Sequence, residues 1–232
     1  MVNGKKRVII FGAGEIGDLA HFYFTWDHTY DVAAFAVDDA FVKETSFKGL
    51  PVVPLSLMQK EFPPENFDAH VALSYMKLNR LREAKYYEVK KLGYSLVSYV
   101  CSKSVTWPDL TIGDNCFILE NQTIQPKVKI GNNVMIWSGN HLGHGCHIRD
   151  HAYLASHICV SGYTVIGERS FVGVNATFRD HIEVGRDSFV TMDASVTRSI
   201  PEGSVVLGGE GRLLPGGDLA GERIKKKYFN LD

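Results

Sequence analysis

The chain of 232 residues has only four cysteines, Cys101, Cys116, Cys146 and Cys159, and no CxxC pair. That excludes a zinc ribbon or a thioredoxin-type motif and argues against a disulfide scaffold. No apolar stretch reaches the roughly 18 residues a membrane span needs, so no span is expected. Charge of either sign is not in excess: 25 Lys+Arg stand against 26 Asp+Glu, for a formal net charge of -1. Neither a nucleic-acid surface nor an acidic disordered tail follows from that balance. The opening, MVNGKKRVIIFGAGEIG, has too short an apolar run for a secretory leader, so a cytoplasmic location is expected.

What the chain does have is a six-residue rhythm. From Ile112 through Ile118, Ile124, Ile130, Ile136 and Leu142 to Val196, every sixth residue is apolar, and all but Phe178 are Ile, Leu or Val. Neither helix nor simple strand periodicity selects a strict six. Such a repeat marks a parallel β-helix, each hexad being one short strand plus a turn. Glycine often follows the aliphatic residue, as at Gly113, Gly131, Gly143 and Gly167. Four positions on comes a mostly small or β-branched residue, such as Cys116, Val134, Cys146 or Ala152. The pattern predicts a left-handed, three-sided β-helix in which each residue lies over the one 18 positions earlier, with rungs about 4.8 Å apart. Cys116 and Cys146 then pack inward as small apolar groups. Gln122 and Asn140 break the small column, and local bends or polar contacts are expected there.

Ahead of the repeat, strand and helix alternate. Strands are expected at 6–11, 30–39, 69–75 and 94–100, with a short extended piece at Gly49–Val53. Helices are expected after the glycine loop through Trp26, at 55–62, and at 77–92 with Gly93 as the stop. This predicts an α/β N-terminal domain with half of a Rossmann-like parallel sheet. The boundaries read as 1–100 for that domain, 101–200 for the β-helix, and 201–232 for a C-terminal loop and short basic helix. The glycines Gly12, Gly14 and Gly17 follow a strand and open a helix, and Asp38 ends the next strand. That arrangement suits a redox dinucleotide, a nucleotide-sugar or a plain structural turn.

Histidines crowd one zone: His141, His144, His147, His151 and His157. Stacking by 18 sets Gly162 over His144 and leaves room for a ligand. His157 lies between Gly139 and Asn175, His141 sits at a turn, and His147 and His151 face water or a neighbouring chain. A zinc centre of three imidazoles plus water is one reading. The γ-type carbonic anhydrases share this β-helix and place two ligands five residues apart. The spacing here does not reproduce that, so no metal is expected. A non-catalytic scaffold is a further reading.

These residues resemble the hexapeptide-repeat acyltransferases, and closely the bacterial sugar acetyltransferases that join a small nucleotide-sugar-binding domain to a left-handed β-helix. The nearest group is the UDP-4-amino-sugar N-acetyltransferases of the bacillosamine pathway, with sialic-acid O-acetyltransferases and perosamine N-acetyltransferases as relatives. The resemblance runs from Arg7 to about Gly209. It implies acetyl-CoA as co-substrate, a homotrimer, and a direct transfer to an amine or hydroxyl of a nucleotide-linked sugar. The base histidine of the group matches His144 in Leu142-Gly143-His144-Gly145-Cys146-His147-Ile148. The oxyanion-binding amide matches Gly162. Coenzyme contacts fall on Tyr153, Gly162, Val174, Met192 and Arg212. Nucleotide-sugar contacts fall on Gly14, Glu15, Ile16, Asp38, Asp39 and Ser74. Three departures stand out. Gly145 replaces the acidic residue that usually follows the base, Tyr153 stands where the group often has His, and the usual C-terminal coenzyme loop is replaced around Arg212.

Overall fold

The computed structural model describes residues 7–27, 29–209 and 213–229. In the N-terminal domain, β1 (Arg7–Phe11) pairs in parallel with β2 (Asp31–Val37) on one side and β5 (Phe67–Val71) on the other. Helix α1 (Glu15–Trp26) connects β1 to β2. The expected extended piece becomes a hairpin of β3 (Ser46–Phe47) and β4 (Leu50–Pro54), and β4 joins the sheet beside β2. Helix α2 (Leu55–Glu61) and helix α3 (Arg80–Lys91) complete the domain. The sheet order is β3-β4-β2-β1-β5.

The fourth expected strand does not join this sheet. Only a bridge between Ala69 and Leu96 touches it, and β6 (Tyr99–Val100) pairs instead with Phe117–Ile118. Tyr99 explains the change. Its fully buried ring contacts Phe24 and Phe117, and its hydroxyl donates to Asp27 at 2.6 Å. Those contacts exist only at the junction, so the segment serves as the first rung of the next domain.

That next domain is a left-handed β-helix of three parallel faces. The first face carries outward Tyr99, Phe117, Met135, Tyr153, Phe171 and Phe189; the second, Thr123, His141, Cys159, Thr177 and Ser195; the third, Thr111, Lys129, His147, Val165 and Glu183. The sixfold aliphatic column is the core, with Ile118, Ile136, Leu142, Ile148, Val160 and Val190 wholly inside. Cys116 and Cys146 are fully buried, as the pattern requires. Gln122 and Asn140 are buried too and form a polar ladder: Gln122 Oε1 accepts from Asn140 N at 3.2 Å, and Asn140 Oδ1 from Ile158 N at 2.6 Å.

Each hexad turns its corner through a left-handed residue. From Asn115 (φ 55°) through Gly145 (φ 68°), His151 (φ 63°) and Tyr163 (φ 56°) to Asp193 (φ 56°), every sixth residue has positive φ. Residues other than glycine resist this region. Here the rung hydrogen bonds hold it, as with Tyr163 N to His144 O at 2.9 Å.

The first face docks on the N-terminal domain. Phe117, Met135 and Tyr153 form one buried cluster with Ile16, Ala20, Phe24 and Phe35. Helix α4 (Leu219–Phe229) lies beyond the last coil, as the basic C-terminal pattern predicts.

Candidate active site

A cavity of about 600 Å³ opens at the carboxyl ends of β1, β2 and β5. Gly14, Glu15, Ile16, Asp38 and Ser74 line it together, with Lys43, Lys77 and Lys85. The three glycines of the loop do different jobs. A Cβ on Gly17 would sit 2.0 Å from Gly12 O, and one on Gly12 would sit 2.5 Å from Ala72 O. Both are fixed by packing. A Cβ on Gly14 would meet nothing within 4 Å, so this glycine faces the open cavity at the N-terminus of α1. That end of a helix favours an anion. Asp38 forms an ion pair with Lys85 on the cavity wall. Asp39 turns away: its carboxylate accepts from Ser56 N at 3.1 Å and caps α2, and those bonds hold its pKa below the usual range.

One rim of the cavity is strained. Lys77, Leu78 and Asn79 have φ of 54°, 51° and 65° in succession. Buried Asn79 fastens this turn to the β-helix by donating to Arg169 O at 2.8 Å. The helical pattern at 77–92 gives no sign of that turn, and the helix starts only at Arg80.

His144 sits at the corner between the second and third faces, with its side chain exposed. Its ring lies over Gly162: a Cβ there would be 2.7 Å from Cε1 and 2.9 Å from Nε2. A Cβ on Gly143 would sit 2.6 Å from Gly162 N, so two glycines leave that amide uncovered beside the ring. Among the described residues the Gly162 carbonyl accepts from His181 N at 3.0 Å, while its N–H has no acceptor. The partner that sequence reasoning did not find is Gln125. Its Oε1 accepts from His144 N at 2.8 Å and lies 3.1 Å from Nδ1. Glutamine oxygen is an acceptor only, so Nδ1 carries the proton and Nε2 is left with its lone pair.

The remaining expected coenzyme contacts lie elsewhere on this chain. Tyr153 belongs to the first face and is 4% exposed, stacked on Phe171 at 5.1 Å and covered by Tyr75. The N-terminal domain seals it, so it shares no surface with His144. Val174 and Met192 are exposed and stack one coil apart at the corner between the first and second faces. They and His144 thus flank opposite edges of the second face. Arg212 lies outside the described residues.

Of the other histidines, His141 is a strand residue of the second face rather than a turn residue. His157 covers Gly139 at its corner, and His147 is half-buried. The expectation that His151 faces water or a neighbouring chain is wrong, since its own chain covers it. It is 2% exposed, its Nδ1 is 2.9 Å from Asn133 Nδ2, and its ring packs on Tyr86 and Tyr87. Its corner is the one α3 covers. Among the described residues no three His, Cys, Asp or Glu side chains cluster for a metal ion.

Residues 109–144 and 127–157 match the bacterial transferase hexapeptide family (six repeats), and 163–198 match the hexapeptide repeat of succinyl-transferase. The β-helix is a hexapeptide-repeat domain. The chain is 35% identical across 96 residues to the UDP-3-O-acylglucosamine N-acyltransferase of Bordetella avium, covering 40% of the chain and 25% of that protein. It is 25% identical across 120 residues to an acyl-[acyl-carrier-protein]--UDP-N-acetylglucosamine O-acyltransferase of Sinorhizobium fredii, covering 48% and 44%. The chain therefore spans less than half the length of these curated relatives.

Two solved structures superpose over most of this chain. The acetyltransferase domain of PglB from Neisseria gonorrhoeae, in complex with acetyl coenzyme A, superposes with a TM-score of 0.78 at 24% identity, covering 91% of this chain and 100% of that one. Perosamine N-acetyltransferase from Caulobacter crescentus, with CoA and GDP-perosamine, gives 0.77 at 23%, covering 87% and 97%. At these identities the likeness is one of fold.

Proposed function

We propose that the protein is an acetyl-CoA-dependent N-acetyltransferase acting on a nucleotide-linked amino sugar in cytoplasmic polysaccharide biosynthesis. The observation that carries this reading is the His144 ring, held by Gln125 with Nε2 free, beside the uncovered amide of Gly162. The amine of the acceptor attacks the thioester carbonyl carbon. His144 Nε2 takes the amine proton, and Gly162 N–H donates to the oxyanion as it develops. The C–S bond then breaks, the acetamide forms, and the coenzyme leaves as a thiol with that proton. Positioning of both substrates supplies the rest of the acceleration. No acyl-enzyme is needed.

The nucleotide half of the acceptor fits the cavity of the N-terminal domain. Gly14 and the start of α1 face the diphosphate there, with Lys43 and Lys77 at the rim. That cavity adjoins the first face through Tyr75, whereas His144 stands on the opposite corner of the same prism. One chain alone therefore offers the sugar and the base on different sides. A homotrimer whose neighbouring prisms bring a His144 corner against a Val174–Met192 corner would assemble the site from two chains. The similar structures solved with acetyl coenzyme A and with GDP-perosamine support the same choice of co-substrate and acceptor class.

The test is thiol release from acetyl-CoA with a panel of nucleotide-linked sugars, each as its amino and its hydroxyl form. Turnover confined to amino sugars supports the reading. Turnover on the hydroxyl forms alone makes the protein an O-acetyltransferase, and none with any acceptor discards acyl transfer.

A further inference from the structure

Arg82 lies at the joint between the two domains and is 2% exposed. Its Nη2 donates to His151 O at 2.7 Å and to Ala152 O at 3.2 Å. Neither Nε nor Nη1 has an acceptor among the described residues. Among the described residues no carboxylate forms an ion pair with it. Its neighbour Glu83 is engaged by Arg169 at 3.1 Å and His151 at 3.6 Å. Burial pulls the Arg82 pKa down to about 10, so the guanidinium remains charged at neutral pH. Its Cζ lies 5.8 Å from the centre of the Tyr153 ring, and a buried cation held only by that ring face and two carbonyls is costly. Buried polar groups without partners are correspondingly rare.

Arg82 borders a small cavity. Arg82, Ile16, His70, Asn115, Asn133 and Met135 help line it, and it offers about 10 Å³ to the centre of a water-sized sphere. That is room for a single atom. Its carboxamide oxygens each accept a bond elsewhere and none from Arg82: Asn115 Oδ1 accepts from Val71 N at 2.7 Å, and Asn133 Oδ1 from Asn115 Nδ2 at 2.8 Å. His70 lies 2.9 Å from Val97 O through Nδ1, and burial holds its pKa near 4, so it adds no charge. Arg82 thus brings to the cavity wall a positive charge and, in Nε and Nη1, N–H groups without an acceptor among the described residues.

We infer that this interdomain cavity binds one small monovalent anion of chloride size, held by Arg82 Nε and Nη1. The site is separate from the acyl-transfer machinery and holds whether or not that reading stands. The anion neutralises the guanidinium that ties α3 to the corner at His151 and Ala152, so its occupancy sets the stability of the domain joint.

The experiment uses the full chain, exchanged into sodium gluconate and titrated with chloride or bromide at constant ionic strength. The melting temperature should keep rising with the logarithm of halide concentration, by about 2–4 °C once halide is several times its Kd. Arg82→Met should lose that halide response. A melting temperature indifferent to halide, or an equal rise in Arg82→Met, overturns the inference. Should the variant not fold, wild-type crystals grown in bromide decide it. An anomalous peak touching Arg82 Nε and Nη1 is expected, and ordinary water density at that point refutes the anion.

Discussion

The ring of Tyr163 occupies the space that a side chain at Gly145 would need: a Cβ there would lie 2.6 Å from Cε1 of that ring. The same ring stands edge-on to His144 at 5.0 Å and stacks on His181 at 5.0 Å. Gly145 is therefore not a lost acidic residue. The position after His144 is closed sterically, and the acceptor beside its imidazole, Gln125, comes from the coil below. Gly145→Asp should destabilise the fold by about 1–3 kcal/mol, since left-handed Asp is tolerated at other corners but the overlap with Tyr163 is not. Calorimetry should show the loss, and adding Tyr163→Ala should recover much of it. Equal losses in the single and double variants would disprove the steric account.

His144→Ala should lower kcat at least about a hundredfold, the usual scale for a general base, while leaving coenzyme binding intact. Thiol release and calorimetric titration with acetyl-CoA measure the two separately. Wild-type turnover would move attention to His141 or His157.

Gln125→Leu should lower kcat about tenfold with little change in KM, because it frees the imidazole to rotate and change tautomer. Gln125→Glu should restore most of the rate and move the acid limb of the pH–rate profile upward, as a carboxylate favours the imidazolium. If Gln125 were only structural, the profile of the Glu variant would not move.

His70 couples acid to stability. Burial, the largest cause, holds its pKa at about 4 in the folded chain, below the ordinary histidine value. The unfolded chain therefore binds the extra proton in that window, so stability is whole above about pH 6.5 and falls as pH drops toward 4. The loss should be on the order of 3 kcal/mol. Urea midpoints at pH 7 and pH 5 should converge in His70→Leu, whose apolar ring replacement cannot take the proton.

The glycine loop separates packing from binding. Gly17→Ala should cost about 3 kcal/mol or more, because its Cβ would meet Gly12 O at 2.0 Å. Gly14→Ala should leave the melting temperature unchanged and weaken nucleotide-sugar binding. Scanning calorimetry and ligand titration of the two variants test this, and unchanged affinity in Gly14→Ala would remove the loop from the site.

The β-helix was legible because its core repeats: Ile112 to Val196 carries the same constraint at each coil, so the pattern averages over local noise. The glycine loop was legible because Gly12 and Gly17 are forced by backbone contacts. Gln125 was not, since its role depends on a side chain reaching 19 residues along the chain to the next storey. Nor was the burial of His151 and Tyr153, which follows from which face the N-terminal domain covers. Segment 94–100 reads as a sheet strand by composition, yet Tyr99 commits it to the prism. Asp38 and Asp39 look equivalent in sequence, but only the first reaches the cavity.

The stacked geometry also constrains how this chain can change in length. Because His141 lies against Cys159 and Cys159 against Thr177, each storey closes after 18 residues. Deleting a single residue would rotate every later side chain out of phase and expose the aliphatic column. Whole storeys are the only neutral increment. Lengthening the prism past the imidazole would thus proceed in steps, like floors added to a tower.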